Sequence, residues 1–139
     1  MEITSLPYNK LIGLEETTSD GRKVISLNPT SQHLNHVGTI HACVLFSVAE
    51  AASAQALLDG FPALKEKAAV VLRTAEVKYR RPASDTIHGA ATIDAAVASA
   101  FLDRFEKKGV ALVSVSTSVR QGDVEVLSGE YTWFVTRVE

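Results

Sequence analysis

The chain reads as an α+β fold: one long, almost wholly apolar helix wrapped by a curved antiparallel sheet of five to six strands. Three observations predict this. The segment His41–Leu58 (HACVLFSVAEAASAQALL) is rich in alanine and leucine and has almost no polar stripe. It therefore reads as a helix buried on most sides. Four strand-like runs follow it, over 69–80, 86–97, 110–120 and 124–138, with β-rich composition or period-two alternation. A single apolar helix against strands joined mostly as a meander is a layered α+β arrangement. The 139 residues suit a single domain, 1–139, with one core.

Residues 1–14 read as a short helix or an extended arm. Arg22–Leu27 (RKVISL) reads as a strand, preceded by the turn signal Ser19-Asp20-Gly21 and broken by Asn28-Pro29-Thr30. A loop dense in polar groups, Ser31–Ile40, leads to the long helix. Asp59-Gly60-Phe61-Pro62 ends that helix, with Gly60 as the expected C-cap. In 86–97, Ile87, Gly89, Ala91, Ile93, Ala95 and Val97 fall on one side. In 110–120, Val113, Val115, Thr117 and Val119 do the same. Between these runs Ser99–Lys108 reads as a short amphipathic helix closed by Gly109, with Phe101, Leu102 and Phe105 on one face. Gln121-Gly122-Asp123 is a turn signal before the last strand.

Composition narrows the function. The chain is 46% hydrophobic and 22% charged, with a net charge of -2, so nothing global argues for nucleic acid or an anionic membrane surface. One cysteine, Cys43, excludes an intrachain disulfide and suits a reducing compartment. The first residues lack the basic region and long apolar run of a signal peptide. The apolar run from Ala42 to Ala49 is read as too short to span a bilayer, since Ser47 interrupts it and Glu50 stops it. A cytoplasmic, soluble protein is the expectation.

Glu50 is the residue that stands out, a charge in the middle of the most apolar stretch. Carboxylates are rarely buried unless something pairs with them or uses them. A bond to backbone or to a neighbouring arginine is the structural alternative to a functional role. The loop before the helix reads Asn35-His36-Val37-Gly38-Thr39-Ile40-His41-Ala42-Cys43. First-turn amides of a helix lack intrahelical partners and, with the dipole, favour a polarised oxygen. An acyl carbonyl there would be polarised as in an oxyanion hole. Glu50 lies two to three turns on, placed to take a proton from water or to attack carbon. His33, His36, His41 and Cys43 match no standard zinc spacing, so no metal is expected.

The pattern Asn35-x-x-Gly38-x-x-His41-Ala42-Cys43-x6-Glu50 resembles the signature of hot-dog fold thioesterases of the phenylacetyl-CoA thioesterase type. That signature reads N-x-x-G-x-x-H-G-G, with Asp or Glu at the position of Glu50. Tyr79-Arg80-Arg81-Pro82-Ala83 resembles the Y-x-x-P-A that follows the next strand in the same family. The likeness runs from about Lys23 to Val138. It implies an acyl-CoA thioesterase with no cofactor, coenzyme A entering as part of the substrate. It also implies a homodimer or dimer of dimers with thioesters bound between subunits. Glu50 would be base or nucleophile, the Ala42 N–H would polarise the carbonyl, and Asn35 and His41 would position water or support the loop. Gly38, Cys43, Thr74, Arg80 and Arg81 would line the substrate site, the arginines suiting the CoA phosphates.

Two departures stand beside the resemblance. Ala42-Cys43 replaces Gly-Gly, and glycine is what permits close approach to backbone. Many relatives use a Ser or Thr from the following strand of the partner subunit; here the closest register gives Leu72, with Thr74 one side-chain step away on the same face. A hydratase or dehydratase of the same fold, pairing His36 with Glu50, and a non-catalytic acyl-CoA-binding or dimerisation module are the alternative readings.

Overall fold

The computed structural model describes residues 2–139. The expected N-terminal arm begins at Met1, which lies outside the described residues. The rest of it holds a 3-10 turn, Ile3–Ser5, and a short helix α1, Pro7–Leu11. Proline opens α1 at a position where its missing N–H does no harm.

Strand β1 (Glu15–Ser19) and strand β2 (Arg22–Leu27) form a hairpin. Its turn places Asp20 at φ 51° and Gly21 at φ 76°, the left-handed pair that matches strand twist. The long helix α2 follows at Ala42–Gly60, then a one-turn helix α3 at Leu64–Lys67. Strand β3 is Ala68–Tyr79 and strand β4 is Ile87–Thr92. Helix α4 (Ala95–Lys108) precedes β5 (Val110–Gln121) and β6 (Val124–Arg137).

The sheet is six-stranded and antiparallel throughout, in the order β1-β2-β4-β5-β6-β3. This is the curved sheet around a central helix that the sequence predicts. One part of the expected meander is corrected. β3 does not neighbour β4; it pairs with β6 at the far edge, and the chain crosses over before β4. Strand β3 has no partner on its outer side among the described residues.

The core lies between α2 and the concave face of the sheet. Ala111, Val113, Val115, Thr117 and Val119 alternate inward from β5. Tyr131, Trp133 and Val135 do so from β6, against Val48, Ala51 and Leu57 of α2. Two hydrogen bonds tie sheet to helix: Tyr131 Oη donates to the Phe46 carbonyl at 2.9 Å, and Trp133 Nε1 donates to Ser53 Oγ at 2.9 Å. Both satisfy polar groups that burial would otherwise penalise.

Four further expectations change. The alternation assigned to 86–97 ends at Thr92, because Asp94 caps α4 by accepting from the N–H groups of Ala96 and Val97. Ala95 and Val97 are therefore helical. Leu102 is 41% exposed, so only Phe101 and Phe105 form the buried stripe of α4. Gly60 is the last residue of α2 and Phe61 is its C-cap, without a left-handed glycine. Finally, α2 has the length and composition of a bilayer span, because alanines and leucines carry it past Glu50. It is nevertheless the core helix, wrapped by the sheet.

Candidate active site

The loop at residues 31–41 is built by its own side chains. Asn35 Oδ1 accepts from the N–H groups of Val37 and Thr39, both at 3.0 Å, and its Nδ2 donates to Thr39 Oγ1 at 2.8 Å. Gly38 takes φ 81°, where other residues are strained. Asn35 thus organises the turn with its whole carboxamide. His33 is engaged as well: its ring bonds Thr30 through Nδ1 and the Ile12 carbonyl through Nε2 at 2.7 Å. Among the described residues no group of three or more His, Cys, Asp or Glu gathers as metal ligands would.

His41 is the N-cap of α2. Its Nδ1 accepts from the Cys43 N–H at 2.9 Å, and its carbonyl accepts from Val44 and Leu45. Of the first four amides of α2, only that of Ala42 has no acceptor among the described residues. Ala42 is exposed and lines a shallow crevice of about 240 Å³ with Asn35, Tyr79, Arg80 and Arg81. A free amide at a helix start, where the dipole adds partial positive charge, is suited to a carbonyl oxygen.

Glu50 lies on the face of α2 shared by Cys43, Phe46 and Ser47, as helical spacing requires. These four, with Tyr8 of α1 and Tyr79 of β3, line a neighbouring crevice of about 340 Å³. Tyr79 belongs to both crevices. The Glu50 carboxylate has no hydrogen-bond or ion-pair partner among the described residues. Burial holds its pKa above the usual carboxylate value. Burial also raises Tyr79, with a smaller contribution from the nearby Cys43, and raises Tyr131, with smaller contributions from Tyr79 and Glu50. The site is therefore a half-dry pocket that disfavours negative charge while holding an unpaired acid.

The other sequence candidates fall as follows. Cys43 is exposed and lines the Glu50 crevice. Arg80 and Arg81 are exposed beside Ala42; Arg80 Nε donates to Ser128 Oγ at 2.8 Å and lies 3.3 Å from Glu125, while the Arg81 side chain has no partner among the described residues. Thr74 is corrected. A β-bulge between Leu72 and Thr74 inserts Arg73, so Leu72 sits beside inward-facing Trp133 while Thr74 sits beside Thr132, on the opposite face. Within this chain Thr74 does not join the Glu50 crevice. Sequence reasoning missed Tyr8 and Ser47. Tyr8 Oη and Ser47 Oγ are 2.9 Å apart, and Ser47 donates to the Cys43 carbonyl at 2.8 Å. Ser47 was visible as the helix position three before Glu50; nothing local marks Tyr8.

A family model described as a domain of unknown function, DUF4442, matches residues 4–135. The chain belongs to this family. No curated protein matches it. Solved structures share the fold of this DUF4442 member. A Pseudomonas aeruginosa protein of unknown function, called a probable thioesterase, is 18% identical with a TM-score of 0.79, covering 98% of this chain and 91% of that one. A Bacillus halodurans protein solved with CoA is 17% identical with a TM-score of 0.76, covering 97% and 82%. A mutant of the phenylacetic acid degradation protein PaaI from Thermus thermophilus is 20% identical with a TM-score of 0.70, covering 93% and 98%. At these identities the likeness establishes the hot-dog fold.

Proposed function

We propose that this protein hydrolyses acyl-CoA thioesters at a site completed by two copies of the chain. The observation that carries the reading is Glu50: an unpartnered carboxylate with a raised pKa in a crevice that adjoins the free amide of Ala42. In the proposed reaction the thioester oxygen accepts from the Ala42 N–H. Glu50 takes a proton from water as its oxygen adds to the acyl carbon. The C–S bond then breaks, the proton passes to the thiolate, and free acid and CoA leave. Alternatively Glu50 attacks the carbonyl carbon itself and water hydrolyses the anhydride.

Ala42 and Glu50 are eight positions apart along α2, a backbone rise of roughly 12 Å. That exceeds what one water and one hydrogen bond span. We therefore place the thioester between protomers, with the helix start of one copy facing the carboxylate of the other. The open outer edge of β3 supports a homodimer or a dimer of dimers. Asn35 and His41 hold the loop and helix start in register, Gly38 permits its turn, and Cys43 borders the acyl group. Arg80 and Arg81 stand where CoA phosphates would pass, and the CoA-bound Bacillus halodurans structure of the same fold supports that substrate. Thr74 faces away from its own Glu50, so a role for it needs the partner copy.

A second reading has one observation in its favour. Side chains at Ala42 and Cys43 stand where the resembling family has bare glycine, which suits a protein that binds acyl-CoA without turning it over. Purified protein given a panel of acyl-CoAs, with free thiol monitored, separates the readings. Thiol release supports the thioesterase. Saturable CoA-ester binding without release supports the binding module. Hydration of an enoyl-CoA without thiol release supports a hydratase.

A further inference from the structure

Strands β2 and β4 run antiparallel, yet their pairing stops at Ile25 opposite Gly89. Both strands continue, β2 to Arg22 and β4 to Thr92. Both stay paired on their other sides, Arg22 with Ser19 and Thr92 with Ser116. The sheet is therefore slit between them. In the slit the Ala91 carbonyl accepts from Arg22 Nη2 at 3.1 Å, so a side chain stands in for the missing backbone partner.

Behind the slit lies a cavity of about 520 Å³, larger than either crevice at the Glu50 site. This is within the usual range for a small-molecule pocket, roughly 300–1,000 Å³. Its floor is made of small residues, Ala52 and Ala56 of α2 and Gly89 of β4, and Ala52 and Gly89 are buried. Ala52, Ala56 and Asp59 fall on the face of α2 opposite Cys43, Phe46 and Glu50, so this cavity does not open onto the candidate active site. Exposed Arg22 and Lys23 stand at its rim.

We propose that this slit binds one long-chain carboxylate, its alkyl chain over Ala52 and Ala56 and its head on Arg22. The floor offers apolar surface and room, which suits methylene groups. Arg22 uses one nitrogen on Ala91 and keeps other donors for a planar carboxylate. The charge at the rim fits a single negative head. Lys23 is shared with Glu16 at 3.9 Å, and Asp59, held by Gln55, adds a negative charge nearby. Two acids thus stand against Arg22 and Lys23, so the rim carries no net positive charge to hold a phosphate dianion. The site is independent of the thioesterase reading.

The test uses cis-parinaric acid, a fluorescent long-chain carboxylate, on the full chain. Wild type is expected to show saturable fluorescence enhancement that palmitate reverses and that hexadecanol and hexadecyl phosphate reverse far less well. Arg22→Gln should weaken binding about tenfold, the loss of one charge-assisted contact. Ala56→Phe should fill the cavity and abolish binding, and Glu50→Gln should leave it unchanged. If Ala56→Phe does not fold, Arg22→Gln at the exposed strand end carries the test. Absence of saturable binding by wild type overturns the proposal. So does equal displacement by all three competitors, unchanged binding in Arg22→Gln, or loss of binding in Glu50→Gln.

Discussion

Tyr131 of β6 donates its hydroxyl to the carbonyl of Phe46, 2.9 Å away and one turn before Glu50. The two rings also pack, with centroids 5.1 Å apart. Trp133 makes the matching tether to Ser53, about one turn after Glu50. The candidate acid is thus bracketed by two points where the sheet grips the helix. Tyr131→Phe keeps the ring and removes the donor. It should lower stability by about 1 kcal/mol, read by denaturant unfolding, and reduce kcat more than it changes KM. An unchanged midpoint and unchanged kcat would show that this tether neither stabilises the fold nor positions Glu50.

The raised Glu50 pKa has a consequence for both stability and rate. Its folded pKa lies above the unfolded value, about 4.3 for glutamate. The stabilising contribution is therefore full below that value and is lost as pH rises through the folded pKa. Relative to Glu50→Gln, wild type should lose stability with rising pH across that window. As a general base Glu50 must be ionised, so kcat/KM should rise with pH along an acid limb displaced above the ordinary carboxylate range. A limb at the ordinary value would remove the case for a desolvated acid.

At Gly89 the sheet packs closely against the central helix. A Cβ there would stand 2.8 Å from Val48 Cγ1 and 3.1 Å from the Val48 carbonyl oxygen. Gly89→Ala should destabilise by about 1–3 kcal/mol through overpacking. Thermal melts would detect the loss, and a neutral result would mean that α2 shifts freely against β4.

Cys43 is exposed and borders the same crevice as Glu50. Alkylation of this single thiol should block turnover of wild type by occupying the crevice. Cys43→Ser should resist the reagent and keep activity. Alkylated protein with full activity would place the substrate elsewhere.

The sequence carried the helix, the turn chemistry and the inward pattern of β5 because each is a local property of adjacent residues. Strand β1 escaped because all five of its residues, Glu15–Ser19, are polar, and only pairing with β2 makes it a strand. The sequence pattern starts helix α4 too late because Ile93, Ala95 and Val97 continue a period of two. The Asp94 cap overrides that alternation. The Arg73 bulge moved Thr74 to the other face, and one inserted residue leaves no mark on composition. Nor does local pattern say that β3 pairs with β6. In the site, Glu50, Ala42 and Cys43 were legible because charge and helix position are local. Tyr8 was not, since it reaches Ser47 from 39 positions away.

The most direct test is free-thiol release from acyl-CoA by wild type and Glu50→Gln, with melting curves confirming that both are folded. Loss of a general base typically lowers the rate by about a hundredfold or more. The account predicts turnover by wild type and a loss of at least that size in the variant, with CoA-ester binding retained. A folded Glu50→Gln protein that releases thiol at the wild-type rate would contradict it.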